Sequence, residues 1–378
     1  MLPQLLTTTD PKNYNAYLDA KVQAIYDNIK SYIPSLVEPL VYKSEPIHYR
    51  MRCEFAIYFE NDKLHYVMYK PKTKPKEKIF VENFTPAHES IVNIMPDLAC
   101  FIEKHERLRH KLFEIDFLCN LKGDVIISLI YHRALDEAQT MDDLNNLKHY
   151  LLNKGHSPNI VAHAKKQIIL CDSDTLQESY TLDDTTVHLN QVEGTFTQPN
   201  AITCTKMLSF ARSLCENLKD SDLLELYCGS GTFTVALAPF FRKVLSTEVA
   251  RTPTLTALEN LKLNNITNTK LVRLSALEVA QALNFERDFN RLKQQDIDLK
   301  DYNFKTLFID PPRSGLQDKK ALDFTARFDR VIYISCGPES FVKDLNYLSK
   351  THIIKKLAFF DQFPYTSHLE SGALLVKK

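Results

Sequence analysis

From Asp222 onward the chain alternates short apolar runs with amphipathic stretches, and this alternation constrains its fold more than any other feature of the 378 residues. Asp222 to Cys228, Lys243 to Val249, Lys270 to Leu274, Phe304 to Asp310 and Arg330 to Ser335 read as strands. Between them, Thr234 to Phe241, Pro253 to Asn264, Ala276 to Leu283 and Asp318 to Phe328 read as helices. A strand followed repeatedly by a helix predicts a parallel sheet covered on both faces. Ile353 to Phe360 and Ala373 to Lys377 add two strands whose connection is too short for a crossover helix, so the last strand is expected to run antiparallel.

Before Asp222 the rhythm differs. Strand-like segments at Tyr49 to Phe59, Lys63 to Tyr69, Phe113 to Leu121, Asp124 to Tyr131, Gln167 to Cys171 and Thr186 to Gln191 are interspersed with helical ones near Tyr14 to Ile33, Ala87 to Leu108 and Leu135 to Asn153. This predicts an α+β domain over residues 1–190 and a second domain over 191–378, with a hinge helix from Ala201 to Leu218. The 47 basic and 47 acidic residues cancel, which neither supports nor excludes a nucleic-acid partner, since binding needs a local patch. One candidate patch is Lys70-Pro-Lys-Thr-Lys-Pro-Lys-Glu-Lys78, which reads equally as a solvated loop or a phosphate-contacting one; Arg50, Arg52, Arg109 and Lys111 could extend it.

Eight cysteines without a CxxC pair point to a reducing compartment, with neither a disulfide framework nor a zinc or iron–sulfur site expected. No apolar run is long enough to span a membrane, and Met1 to Asp10 lacks signal-peptide regions, so a cytoplasmic protein is expected. Glycine is scarce, with only eight, and six of these fall in segments that read as a site: Gly194, Gly229, Gly231, Gly315, Gly337 and Gly372.

Cys336 follows the buried run Val331-Ile-Tyr-Ile334, and Gly337-Pro338 then opens a helix from Glu339 to Leu348. A helix N-terminus lowers a nearby thiol pKa, so this placement favours a nucleophile over an inert core cysteine. Leu223-Leu-Glu-Leu-Tyr-Cys-Gly-Ser-Gly-Thr-Phe233 reads as a strand, a Gly-x-Gly turn and a helix start, the shape that lets a backbone approach a nucleotide-like ligand. It lacks the third glycine of the dinucleotide fingerprint, which makes NAD a poorer fit. Glu248 ends the next strand, where an acid can accept hydrogen bonds from a ribose, and Asp310-Pro-Pro-Arg-Ser-Gly315 ends the fourth strand at the same sheet edge. Pro311 and Pro312 stiffen a loop that could hold a planar base while Asp310 accepts a hydrogen bond.

Phe196-Thr-Gln-Pro-Asn200, Glu225-Leu-Tyr-Cys-Gly-Ser-Gly231, Phe308-Ile-Asp-Pro-Pro-Arg-Ser-Gly315, Tyr333-Ile-Ser-Cys-Gly-Pro-Glu339 and Phe363-Pro-Tyr-Thr-Ser-His-Leu-Glu-Ser-Gly372 occur in that order. With them the chain resembles the RNA uracil-5-methyltransferases, and within these the bacterial members that act on the T-loop of tRNA. The likeness runs nearly end to end, including His48-Tyr-Arg-Met-Arg52, Leu108-Arg-His-Lys-Leu-Phe-Glu-Ile-Asp116 and Tyr131-His132. It implies a class I S-adenosylmethionine-dependent methyltransferase, α/β and Rossmann-like with a seven-strand sheet whose last strand is antiparallel, behind an N-terminal α+β RNA-binding domain.

The resemblance also assigns roles: Cys336 as nucleophile, Glu370 as general base, and Gln198, Tyr227, Gly229, Thr232, Glu248 and Asp310 as contacts for S-adenosyl-L-methionine. Thr232 stands where relatives carry an Asn, and Ser230 replaces another. Arg50, Phe113 and His132 are candidate RNA contacts, the last two by stacking on or capping an extruded base. The implied chemistry is thiolate addition to uracil C6, methylation at C5, and proton removal by Glu370 before the enzyme is released. Expected partners are the T-arm of tRNA, with the tRNA-like part of tmRNA left open, as substrates of a monomeric enzyme without a metal. Competing readings are a ribosomal-RNA uracil-5-methyltransferase, an exocyclic-amine methyltransferase using Asp310-Pro-Pro, which would need no cysteine, and a non-catalytic RNA-binding or RNA-folding protein on the same scaffold.

Overall fold

The computed structural model describes residues 7–70 and 73–378. Its larger sheet has eight strands, in the spatial order Leu40–Tyr42, His352–Phe360, Glu370–Lys377, Arg330–Ser335, Phe304–Ile309, Asp222–Leu226, Val244–Thr247, Thr269–Val272. Glu370–Lys377 is antiparallel to both of its neighbours, as expected, and the strands from Arg330–Ser335 to Thr269–Val272 pair in parallel. The expected strands are all present. The eighth, Leu40–Tyr42, comes from far up the chain and pairs in parallel with Ala358–Phe360. Three residues are too few to show a period, so pattern alone could not find it.

A second sheet of seven strands, from Arg52–Glu60 to Gln167–Leu170, carries the helices Glu89–Lys104 and Glu137–Asn153. The helix expected over Ala87 to Leu108 is broken at His105, whose extended backbone separates Glu89–Lys104 from the short Glu106–Arg109. The strands Lys78–Val81, Asn159–Ala164 and Thr175–Thr181 were not expected, and the hinge helix stops at Ser213.

The division expected at residue 190 falls inside the strand Thr186–Val192, which forms a two-stranded ribbon with Thr175–Thr181. This ribbon docks on the half that carries the eight-stranded sheet: Asn260 Oδ1 accepts the Asn190 amide at 2.7 Å and Asn264 Oδ1 the His188 amide at 2.8 Å. The helix Tyr14–Tyr32 likewise packs on Pro338–Leu348, burying Tyr14, Leu18 and Ile29 in one apolar cluster with Phe341, Leu345 and Leu375. The apolar face of Tyr14–Tyr32 thus finds its partner at the other end of the chain, and the ribbon is held by side chains of the helix Arg251–Leu263 and its C-cap, partners that sequence order does not reveal. Among the described residues no helix is long and apolar enough to cross a membrane.

Candidate active site

Strand register brings the chemistry together. Ser335 pairs with Ser371 across antiparallel strands, so the next positions, Cys336 and Glu370, face each other at the strand ends. Ile309 pairs with Tyr333 and with Leu226, and Leu226 pairs with Thr247, which sets Asp310, Tyr227 and Glu248 along the same carboxyl edge. Open α/β sheets bind ligands at this edge.

Two loops are locked there, backbone against backbone. A Cβ on Gly337 would lie 2.3 Å from the Arg313 carbonyl oxygen, and one on Gly315, where φ is +71°, would lie 2.6 Å from Asp344 Oδ2. Asp344 explains the tightness: its buried carboxylate accepts from Tyr333 Oη at 2.6 Å and from the Leu316 amide at 3.0 Å, pinning the Asp-Pro-Pro-Arg loop to the helix after Cys336. Pro338 occupies the first turn of that helix, which has no side-chain cap.

The thiol departs from expectation. Burial, followed by the charges of Glu370 and Asp310, pushes Cys336 up to about 11, against a lowering by Arg313. Burial comes first, and two carboxyl groups that only the fold brings near add to it. Burial, then Asp310, raises Glu370 to about 8, with Arg313 opposing. Asp310 rises to about 7 through burial and then Glu225, a fully buried acid whose Oε2 accepts from Ser246 Oγ at 2.7 Å. Near neutral pH this pocket therefore holds protons that a positive charge would help release.

Beside it lies a groove of about 240 Å³ lined by Tyr227, Glu248, Val249, Leu277, Pro312 and Asp318 among others. Val249 and Leu277 are more than half exposed, an apolar wall suited to a flat base. Glu248 accepts from the Gly229 amide at 3.1 Å and, through its other oxygen, from the amides of Val249 and Ala250 at 2.7 and 2.8 Å, which fixes the carboxylate at the groove mouth. Tyr227 sits in the left-handed region at φ 61°, and a Cβ on Gly229 would meet nothing, so the turn leaves room for a ligand. These residues fit a nucleoside-bearing methyl donor: an acid for a ribose, an apolar slot for a base, and carboxyls facing a cation. Thr232 opens the helix behind this turn, after Gly231 at φ 82°.

Gln198 lies in a loop tied to the connection that precedes Glu370: the Asn200 amide donates to Gln362 Oε1 at 3.1 Å, Asn200 Nδ2 to Ser44 Oγ at 2.7 Å, and the Met51 amide to the Pro199 carbonyl at 2.8 Å. This last bond also places Arg50 near the junction of the two halves. Phe113 and His132 belong to the other sheet, where their rings stack 3.9 Å apart with Phe113 exposed. The basic patch is partly engaged. Lys70, Arg52 and Arg109 pair with Glu77, Glu54 and Asp62, while Lys76 and Lys78 lie over Tyr69 and Tyr58. Lys72 lies outside the described residues. Pattern reading missed Asp344, Glu225 and Asn200; an acid amid an apolar run, as in Leu223-Leu-Glu-Leu226, was the available signal for Glu225.

The family model described as tRNA (Uracil-5-)-methyltransferase matches residues 13–378. A protein of Psychromonas ingrahamii named tRNA/tmRNA (uracil-C(5))-methyltransferase is 44% identical over 373 residues, which cover 99% of this chain and 100% of that protein. One of Shewanella amazonensis with the same name is 42% identical over 98% of each. Among solved structures, the Pyrococcus abyssi tRNA (uracil-54, C5)-methyltransferase in complex with S-adenosyl-L-homocysteine has a TM-score of 0.69 at 19% identity, over 95% of this chain and 83% of that one, and so shares the fold. With a family match across nearly the whole chain and relatives this similar at full length, the chain belongs to the tRNA (uracil-5-)-methyltransferase family.

Proposed function

We propose that this protein methylates C5 of uridine 54 in the T-loop of tRNA, and of the equivalent loop in the tRNA-like part of tmRNA, through a covalent adduct on Cys336. The register that sets Cys336 opposite Glu370 beside Asp310 carries the reading, because the reaction needs a thiol and a separate base on one reacting ring. Glu248, Tyr227 and Gln198 would hold S-adenosyl-L-methionine, which would supply the methyl group as a sulfonium.

Uracil C5 is a weak nucleophile. Cys336 Sγ, once its proton has passed to solvent, adds to C6 as thiolate, the electron pair moves into the ring as an enolate, and C5 takes the methyl group as the methyl–sulfur bond of the donor breaks and a neutral thioether leaves. Glu370 then accepts the C5 proton, the C5–C6 double bond reforms and the thiolate leaves. A carboxyl raised to about 8 is a stronger base than an ordinary one and still titrates near operating pH. Phe113 and His132 offer a stacked aromatic surface for loop bases displaced when the target leaves its stack. Incubating the protein with labelled cofactor and an unmodified tRNA transcript, then mapping the label, should find 5-methyluridine at position 54. Label elsewhere, or in ribosomal RNA alone, contradicts the reading.

A further inference from the structure

The connection that delivers Glu370, residues 361–369, is held at one end by Asn200, which bonds Gln362, and along the rest by a segment more than three hundred residues upstream. Lys21 is buried within the helix Tyr14–Tyr32, and its Nζ lies 2.5 Å from Asp361 Oδ1. It also donates to the carbonyls of Phe363 at 3.1 Å and His368 at 3.0 Å, with Thr366 at 3.5 Å. Around this ammonium, the Asp361 amide donates to the Tyr42 carbonyl at 3.0 Å and Tyr365 Oη to the Pro46 carbonyl at 2.8 Å. The Tyr365 ring also stands edge-on to Tyr14 and Tyr17.

Burying an ammonium is costly, and apolar packing could close the same gap at least as well, so stability is a weak explanation for Lys21. Geometry supplies another. The last carbonyl it holds, His368, is two residues before Glu370, and Leu369 between them is fully buried, so the ammonium sets where the strand begins and how its first side chain points. Cys336 hangs from a different strand and loop and does not share these bonds.

We propose that Lys21 is a positioning residue for Glu370, governing removal of the C5 proton and not attack by the thiol. This rests on the function proposed above. Rapid-mixing experiments on full-length protein with tRNA transcript and labelled cofactor would follow adduct formation and adduct release separately. Lys21→Met should form the methylated protein–RNA adduct at close to the wild-type rate, bind cofactor normally, and release product about 100-fold more slowly, the scale expected for a base displaced by about 1 Å. Because Lys21→Met strands a buried Asp361, the double variant Lys21→Met with Asp361→Asn removes the lone charge. It should recover Tm and still release slowly.

Wild-type release in the double variant, or attack slowed as much as release, would overturn the proposal, since either outcome leaves only a structural role. A wild-type protein that methylates no RNA would instead bring down the function reading. Normal wild-type turnover with unaltered release in the variants brings down this inference alone.

Discussion

The catalytic edge and the N-terminal sheet handle their polar groups in opposite ways. At the edge, Glu370 and Glu225 are buried, Cys336 is half-buried, and the carboxyls are raised by their surroundings. On the other sheet Phe113 is exposed and stacked on exposed His132, and the nearby cations pair with acids or lie on tyrosines. The first arrangement is fixed by register before any substrate arrives; the second offers side chains that can rearrange at small cost. Chemistry needs sub-ångström placement, whereas gripping a folded RNA tolerates adjustment. Substitutions in the two regions should therefore fail differently.

The largest effect is expected at Cys336. Cys336→Ala should reduce turnover by on the order of 10⁴-fold or more while cofactor affinity stays nearly unchanged, because in the proposed mechanism the thiol attacks the base and does not hold the methyl donor. Equilibrium binding beside a methyl-transfer assay checks both halves, and appreciable residual turnover would break the covalent account. Phe113→Ala should do the reverse, weakening tRNA binding by about 1–3 kcal/mol, roughly ten- to a hundredfold, with cofactor binding unaltered. Titration with a fluorescent T-arm hairpin reads this directly, and an unchanged affinity would make Phe113 a mere surface residue.

The smallest effect is on stability. Glu370 is raised to about 8 in the fold, against an ordinary glutamate near 4.3, so the native state binds its proton more tightly than the unfolded chain does. That contribution is fully present below the unfolded value and is lost as pH rises through about 8. Glu370→Gln should therefore gain a few degrees of Tm over wild type between pH 5 and pH 9, as thermal melts across that range would show. Parallel curves would place the carboxyl in water and undo the contrast between the regions.

Much of the fold was legible because the catalytic strands are buried on both faces and read as continuous apolar runs between turns. What escaped has a common cause. Leu40–Tyr42 owes its strand character to Ala358–Phe360, and the hairpin Thr175–Val192 is placed by Asn260 and Asn264, partners that no local period reveals. At the site, strand ends and glycines pointed to Cys336, Asp310 and Glu248, while the roles of Gln198 and Glu370 came from family likeness. The thiol's pKa rises where the helix N-terminus predicts a lowering, first because the fold buries it and then because two carboxyls arrive from other strands, which no local pattern shows. Lys21 shows no local sign of its task, since a lysine on a helix usually reads as a solvated face.

The central claim is that Cys336 and Glu370 act in sequence on one base, the first forming the bond that the second allows to break. Glu370→Gln keeps the size and removes the base, so it should attack, methylate and stall. With labelled cofactor and unmodified tRNA, a denaturing gel should show a protein–RNA adduct that carries the methyl label and maps by mass spectrometry to Cys336. Normal turnover without an adduct would contradict the account, and an adduct lacking the methyl group would place Glu370 before methyl transfer.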